Sequence, residues 1–114
     1  MTSTRFGLKD DTIAKIQGVF ASHPQVDKAV LYGSRAKGNY RNGSDIDLTL
    51  QGGPDLTLSV LYRIVYELDD LLLPYIIDLS IFKDIGDPDL IEHIQRVGVT
   101  FYDRREHIPE LATT

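Results

Sequence analysis

A chain of 114 residues, 42% of them hydrophobic, can build one buried core but not two, so a single domain over residues 1–114 is expected. Its 17 acidic residues against 12 Lys and Arg leave a net charge of −5, which argues against tight generic binding to nucleic acid, since that requires a basic face. With no cysteine, disulfides and thiolate metal sites are excluded. No apolar run is long enough to span a bilayer and no positively charged start precedes an apolar stretch, so a cytoplasmic protein away from membranes is expected.

In chain order, Met1–Thr4 reads as a frayed end. Asp10 or Asp11 is placed to cap a helix reaching about Ser22, with Ile13, Ile16, Val19 and Phe20 as its apolar stripe. His23-Pro24 ends it. A strand follows from about Asp27 to Tyr32, then a turn or short helix at Gly33-Ser34, a polar loop from Gly38 to Ser44, and a second strand from about Ile46 to Gln51. Gly52-Gly53-Pro54 breaks that strand. Apolar spacing at Leu61, Ile64, Val65, Leu68 and Leu72 predicts a helix over about Leu56–Leu72, stopped by Pro74, and Tyr75–Phe82 reads as the third strand. Asp87-Pro88 opens a last helix, with Leu90, Ile91, Ile94 and Val97 inward and Gly98 as its stop. Val99–Tyr102 is a short final strand, and Glu110–Thr114 a second frayed end. The pattern is that of an α/β domain without linker or repeat. His23, His93 and His107 have no metal-ligand spacing and read as structural or exposed. Tyr62 and Tyr66, one helical turn apart, read as a core edge or a partner surface.

The chemistry concentrates in one window, Gly33-Ser34-Arg35-Ala36-Lys37-Gly38 followed by Ser44-Asp45-Ile46-Asp47-Leu48. A glycine at a strand end lets backbone approach an anion without a Cβ in the way, and N–H groups opening a helical turn suit phosphate oxygens. Ser34 adds a hydroxyl; Arg35 and Lys37 offer positive charge or are solvated loop charges. Alternation along the second strand puts Asp45 and Asp47 on the face opposite Ile46, Leu48 and Leu50. Asp45, following Ser44, also fits a turn cap. Two carboxylates held close call for a cation, and hard oxygen ligands beside phosphate suit Mg²⁺. Asp78, alone in an apolar strand, is costly to bury unless it faces Asp45 and Asp47 across the sheet and shares their metal.

These residues resemble the minimal nucleotidyltransferases of the DNA polymerase beta superfamily, whose signature is a Gly-Ser turn with a trailing Gly, a Ser-Asp-x-Asp-Leu run and a lone Asp on a later strand. Here these are Gly33-Ser34 with Gly38, Ser44-Asp45-Ile46-Asp47-Leu48, and Asp78, and the likeness spans about residues 9–103. The resemblance implies an α+β nucleotidyltransferase fold with a mixed sheet of about four strands packed against helices. It implies ATP as substrate, two Mg²⁺ ions (or Mn²⁺) on Asp45 and Asp47 with Asp78 serving the metal beside the attacking hydroxyl, and a nucleotide held by Gly33, Ser34, Arg35, Lys37 and Ser44. Asp78 would act as general base or position a metal.

Domains of this size in the superfamily pair with small helical proteins of the HEPN class, often ribonuclease toxins. The resemblance thus implies an antitoxin that transfers AMP to a hydroxyl of such a partner, within a homo- or hetero-oligomer that completes the site. Two other functions fit the motif: nucleotidyl transfer to a small hydroxylated molecule such as an aminoglycoside, and a non-catalytic module that masks its partner.

Overall fold

The computed structural model describes residues 4–107. The expected fraying of Met1–Ser3 and of Glu110–Thr114 lies outside the described residues, whereas Thr4 sits in a strand. That strand, β1 (Thr4–Arg5), pairs with β2 (Leu8–Lys9) in a small hairpin. Its turn, Phe6-Gly7, has positive φ at both residues (59° and 72°), the backbone sense that matches the twist of a two-residue hairpin.

Helix α1 (Asp10–Ala21) follows directly. Neither Asp10 nor Asp11 caps it: the N-cap is Lys9 without a side-chain bond, and both acids lie in the first turn, where they complement the helix dipole. After β3 (Val26–Tyr32) come the single-turn α2 (Ser34–Lys37) and β4 (Ile46–Gly52). Helix α3 (Leu58–Asp69) is shorter than the apolar spacing predicts. At its start the Thr57 hydroxyl accepts the Val60 N–H at 3.4 Å; beyond its end, Leu72 takes a left-handed φ of 55°. Strand β5 is likewise trimmed to Ile77–Ile81.

Helix α4 (Pro88–Val97) starts where Asp87-Pro88 places it, with the Asp87 carboxylate accepting the Asp89 N–H at 3.0 Å. Strand β6 (Val99–Asp103) runs into a final turn of helix, α5 (Arg104–His107), which sequence pattern does not announce. The four longer strands form a mixed sheet in the order β5-β4-β3-β6, with β4 and β5 parallel and β3 antiparallel to both its neighbours.

One face of this sheet is the core. Ile13, Ile16 and Phe20 of α1 and Leu61, Ile64 and Leu68 of α3 meet Ala29, Leu31, Ile46, Leu48, Leu50 and Ile81 in one buried cluster. Each such aliphatic side chain contributes about 1.5–3 kcal/mol when fully buried. The helices are tied at the rim by His23 at the end of α1, whose Nε2 lies 2.8 Å from Glu67 on α3. On the other face, among the described residues, α4 packs against β3. That face carries the carboxylates.

Among the described residues no helix is long and apolar enough to cross a membrane.

Candidate active site

Register places the site. Tyr32 on β3 is opposite Asp47 on β4, and Asp47 is opposite Asp78 on β5. Cross-strand partners share a face, so Tyr32, Asp47 and Asp78 form a row across three strands. The row faces away from the core, because the flanking Leu31, Ile46 and Leu48 are fully buried on the other side. Asp45 lies one residue before β4, at the same end, and is exposed, as is Asp78; Asp47 is half-buried.

The electrostatics of this row are unfavourable for a bare chain. Partial burial, then the charges of Asp78 and Asp45, push the Asp47 carboxyl above its ordinary value, with His93 opposing. Burial, then Asp78, push the Tyr32 phenol up as well, while a hydrogen bond with Ser80 works against the shift. The row beneath is satisfied by hydroxyls, with Ser80 Oγ donating to the buried Thr49 Oγ1 at 2.9 Å. A divalent cation would relieve the repulsion, and three carboxylates are a hard-oxygen donor set of the kind Mg²⁺ and Mn²⁺ accept. As they stand, no three Asp, Glu or His side chains among the described residues close around one point. Joint ligation therefore requires the exposed Asp45 and Asp78 to turn toward Asp47.

The turn after Tyr32 lies against these acids. Gly33 takes φ 74° and ψ −156°, and a Cβ there would collide with Asp47 Oδ2. Only glycine suits both demands. The first helical bond of α2 runs from Lys37 N–H to the Gly33 carbonyl at 3.1 Å, so the amides of Ser34, Arg35 and Ala36 precede any acceptor of the helix ladder. Ser34 is half-buried at this turn, and Lys37 is exposed at the far end of α2.

Arg35 and Ser44 have places other than those expected of phosphate ligands. Arg35 is only 2% exposed, and its guanidinium donates to the carbonyls of Ser44 (3.1 and 2.9 Å), Phe6 (2.9 Å) and Asn42 (3.4 Å). It also lies over the rings of Tyr40 and Tyr75, at 5.2 and 5.0 Å. Ser44 Oγ accepts the Arg41 N–H at 2.8 Å. Both residues thus build the loop between α2 and β4, and Arg35 docks the β1–β2 hairpin onto it. The reason is physical: a loop that returns the chain from α2 to β4 leaves carbonyls unpaired, and a planar five-donor fork satisfies several at once.

Two residues of this face are absent from the sequence-derived set. Tyr32 is legible in hindsight from strand alternation, being out of phase with the buried Leu31. His93 is not: it comes from α4, its Nε2 accepts the Gly33 N–H at 3.3 Å, and its ring meets Tyr32 edge-on at 6.2 Å. His23 and His107 lie elsewhere, against Glu67 and Tyr102.

The arrangement has the parts for chemistry on a phosphate ester: carboxylates for a cation, a turn with free amides, and an open face for a second substrate. The family model described as "Polymerase beta, Nucleotidyltransferase" matches residues 14–107. Compared with curated protein sequences, the chain matches none. Among solved structures, a toxin–antitoxin with AMP-PNP superposes with a TM-score of 0.62 at 18% identity, covering 85% of this chain and 75% of that one. The Shewanella oneidensis tri-AMPylated HEPN toxin in complex with MNT antitoxin gives 0.61 at 16% identity, over 84% and 73%. A toxin–antitoxin MntA–HepT gives 0.60 at 16%, over 84% and 74%. At such identities the likeness is one of fold.

Proposed function

This chain belongs to the polymerase beta nucleotidyltransferase family, and on that premise we propose that it transfers AMP from ATP to a hydroxyl of a HEPN-class toxin, acting as its antitoxin. The observation that carries the reading is the row of Asp47 and Asp78, with Asp45 at its end, set against the Gly33-Ser34 turn on the open face of the sheet. The structures it resembles include a toxin–antitoxin with AMP-PNP and a tri-AMPylated HEPN toxin held by an MNT antitoxin.

Asp45 and Asp47 would hold divalent cations, with Asp78 serving the one nearest the acceptor. Bound there, such ions neutralise charge on the attacking and leaving oxygens. The chain's own residues do the rest. The Ser34 hydroxyl and the amides that open α2 donate to the triphosphate, and Lys37 adds positive charge from the end of that turn. The acceptor oxygen attacks the α-phosphorus in line, the bond to the β-phosphate bridging oxygen breaks, and pyrophosphate leaves. Asp78, exposed on the edge strand, is the carboxylate placed to take the hydroxyl proton. Tyr32, buried beside Asp47 on the neighbouring strand, lends the site an apolar flank. Among the described residues Asp45 and Asp78 are exposed on this side, where a protein acceptor could approach. Exposed apolar side chains near the β5 edge, Tyr66 at 75% and Ile76 at 70%, suit contact with such a partner.

The test is transfer of label from α-labelled ATP, with Mg²⁺, in a lysate of the source organism, alongside an Asp45→Asn/Asp47→Asn chain. A labelled protein band seen only with intact acids, and identified by mass as a HEPN-class protein, is the expected result. Label in a small molecule instead would move the acceptor to a metabolite or drug, and no transfer at all would favour masking.

A further inference from the structure

The Gly33–His93 contact has no part in the chemistry above, yet it is the hydrogen bond by which α4 reaches the Gly-Ser turn. The two residues are sixty positions apart and are joined only by the fold. Gly33 N–H donates to Nε2, a role the ring can fill only in the tautomer that carries its proton on Nδ1. The ring is held in turn by its edge-on contact with Tyr32, the residue before Gly33 and a member of the carboxylate row. The imidazole therefore braces the turn on two successive residues, at the point where β3 gives way to α2.

We propose that His93 is a positioning residue of the nucleotide site: it engages the Gly33 amide, fixes the left-handed backbone of that residue, and so holds the next three amides ready for phosphate. The inference rests on the nucleotidyl-transfer reading and adds a residue to it. Gly33 adopts a φ of 74° at a place where a Cβ would collide with Asp47; glycine reaches this backbone freely but reaches many others as freely, so its surroundings must select it. Its carbonyl is held by Lys37 N–H; its amide is held by His93. With the amide released, the peptide between Tyr32 and Gly33 is free to rotate, and the donors of α2 lose a common direction. A preformed phosphate cradle binds more tightly than one that must be ordered on binding.

The experiment uses the purified chain, Mg²⁺ and α,β-methylene ATP, an analogue whose α–β bridge is carbon and which therefore binds without transferring AMP. Affinity is read by calorimetry, and the Gly33 amide by its NMR signal, in wild type, His93→Phe and His93→Gln. Phe keeps a ring against Tyr32 but offers no acceptor; Gln offers a carbonyl in place of Nε2. The expected result is binding weakened about five-fold in His93→Phe, the effect of losing one hydrogen bond, with a displaced Gly33 signal. In His93→Gln both readouts return toward wild type. Equal affinity in His93→Phe, or a His93→Gln as weak as His93→Phe, would overturn the assignment and leave His93 as packing. If His93→Phe does not fold, His93→Leu takes its place in the same comparison. Wild type that fails to bind the analogue would sink the nucleotidyl-transfer reading itself, and this inference with it, whatever the Gly33 signal does.

Discussion

Gly33 lies against the carboxylate of Asp47 so closely that a Cβ at position 33 would collide with Oδ2. The turn proposed for phosphate and the acid proposed for metal are thus one packed unit. Gly33→Ala is expected to lower stability by about 1–2 kcal/mol, from the left-handed φ and the collision together. In a chain of this size that is a melting temperature lower by about 5–10 °C. Binding of Mg²⁺ and ATP should fall more than stability does, because the displaced group is Asp47 itself. Thermal melting and calorimetry on one preparation check both parts, and an unchanged affinity would separate the turn from the site.

Asp47→Asn should make the metal-free chain more stable while abolishing transfer. Directly opposed like charges on neighbouring strands destabilise by about 0.2–1 kcal/mol, and Asp47 faces Asp78 across β4 and β5. The sign of the pH dependence follows. Asp47 binds its proton more tightly in the folded chain than in the unfolded one, so the wild-type fold gains stability as pH falls through the raised value toward the ordinary one and gives it up as pH rises back through that window. The variant should lose that part of the slope, and added Mg²⁺ should raise the melting temperature of wild type alone. A variant less stable than wild type at neutral pH, without metal, would contradict the assigned repulsion.

Much of this fold is legible because its local rules agree with its packing. Ile46, Leu48 and Leu50 alternate with Asp47 and Thr49, and the strand forms as that alternation requires, with Asp47 and its partner Asp78 on the face opposite the core. Asp87-Pro88 and Gly98 bound α4 as cap and stop. The losses have a different origin. Arg35 stands two residues after the glycine of a phosphate-type turn, where exposed charge is the natural expectation, yet it is buried because the carbonyls of Phe6, Asn42 and Ser44 converge on it. No local pattern announces that the hairpin carbonyl of Phe6 and two carbonyls of the loop at Asn42 and Ser44 meet at one side chain. His93 is hidden for the same reason, since its partner Gly33 belongs to another element. The hairpin at Phe6-Gly7 escaped because the strands it joins are two residues each, too short to show a period.

Arg35→Lys should therefore behave as a structural lesion. A lysine offers one ammonium in place of a fork that meets three carbonyls and two aromatic rings. Leaving at least one buried carbonyl without its donor costs about 1–3 kcal/mol, so a melting temperature lower by about 5–15 °C is expected. Were Arg35 instead a phosphate ligand, lysine would preserve the charge: stability would hold and nucleotide affinity would fall modestly. Melting curves of the nucleotide-free chain distinguish the two, as the ligand role predicts no change there.

Asp78→Asn should separate binding from chemistry. Asp78 stands on the edge strand β5, exposed, while Asp45 and Asp47 come from the approach to β4 and from β4 itself. If Asp45 and Asp47 anchor the nucleotide through its metal and Asp78 takes the acceptor proton, the amide variant keeps affinity for Mg²⁺ and α,β-methylene ATP within about two-fold, less than the ~0.5 kcal/mol at which an exposed substitution is usually felt. Transfer of label from α-labelled ATP should drop at least about 100-fold, the lower bound for losing a general base. The same variant should melt higher than wild type without metal, since it removes the other half of the Asp47–Asp78 repulsion. Asp78→Asn that loses nucleotide binding along with transfer would instead place Asp78 among the anchoring ligands, and the proton would have to leave by water.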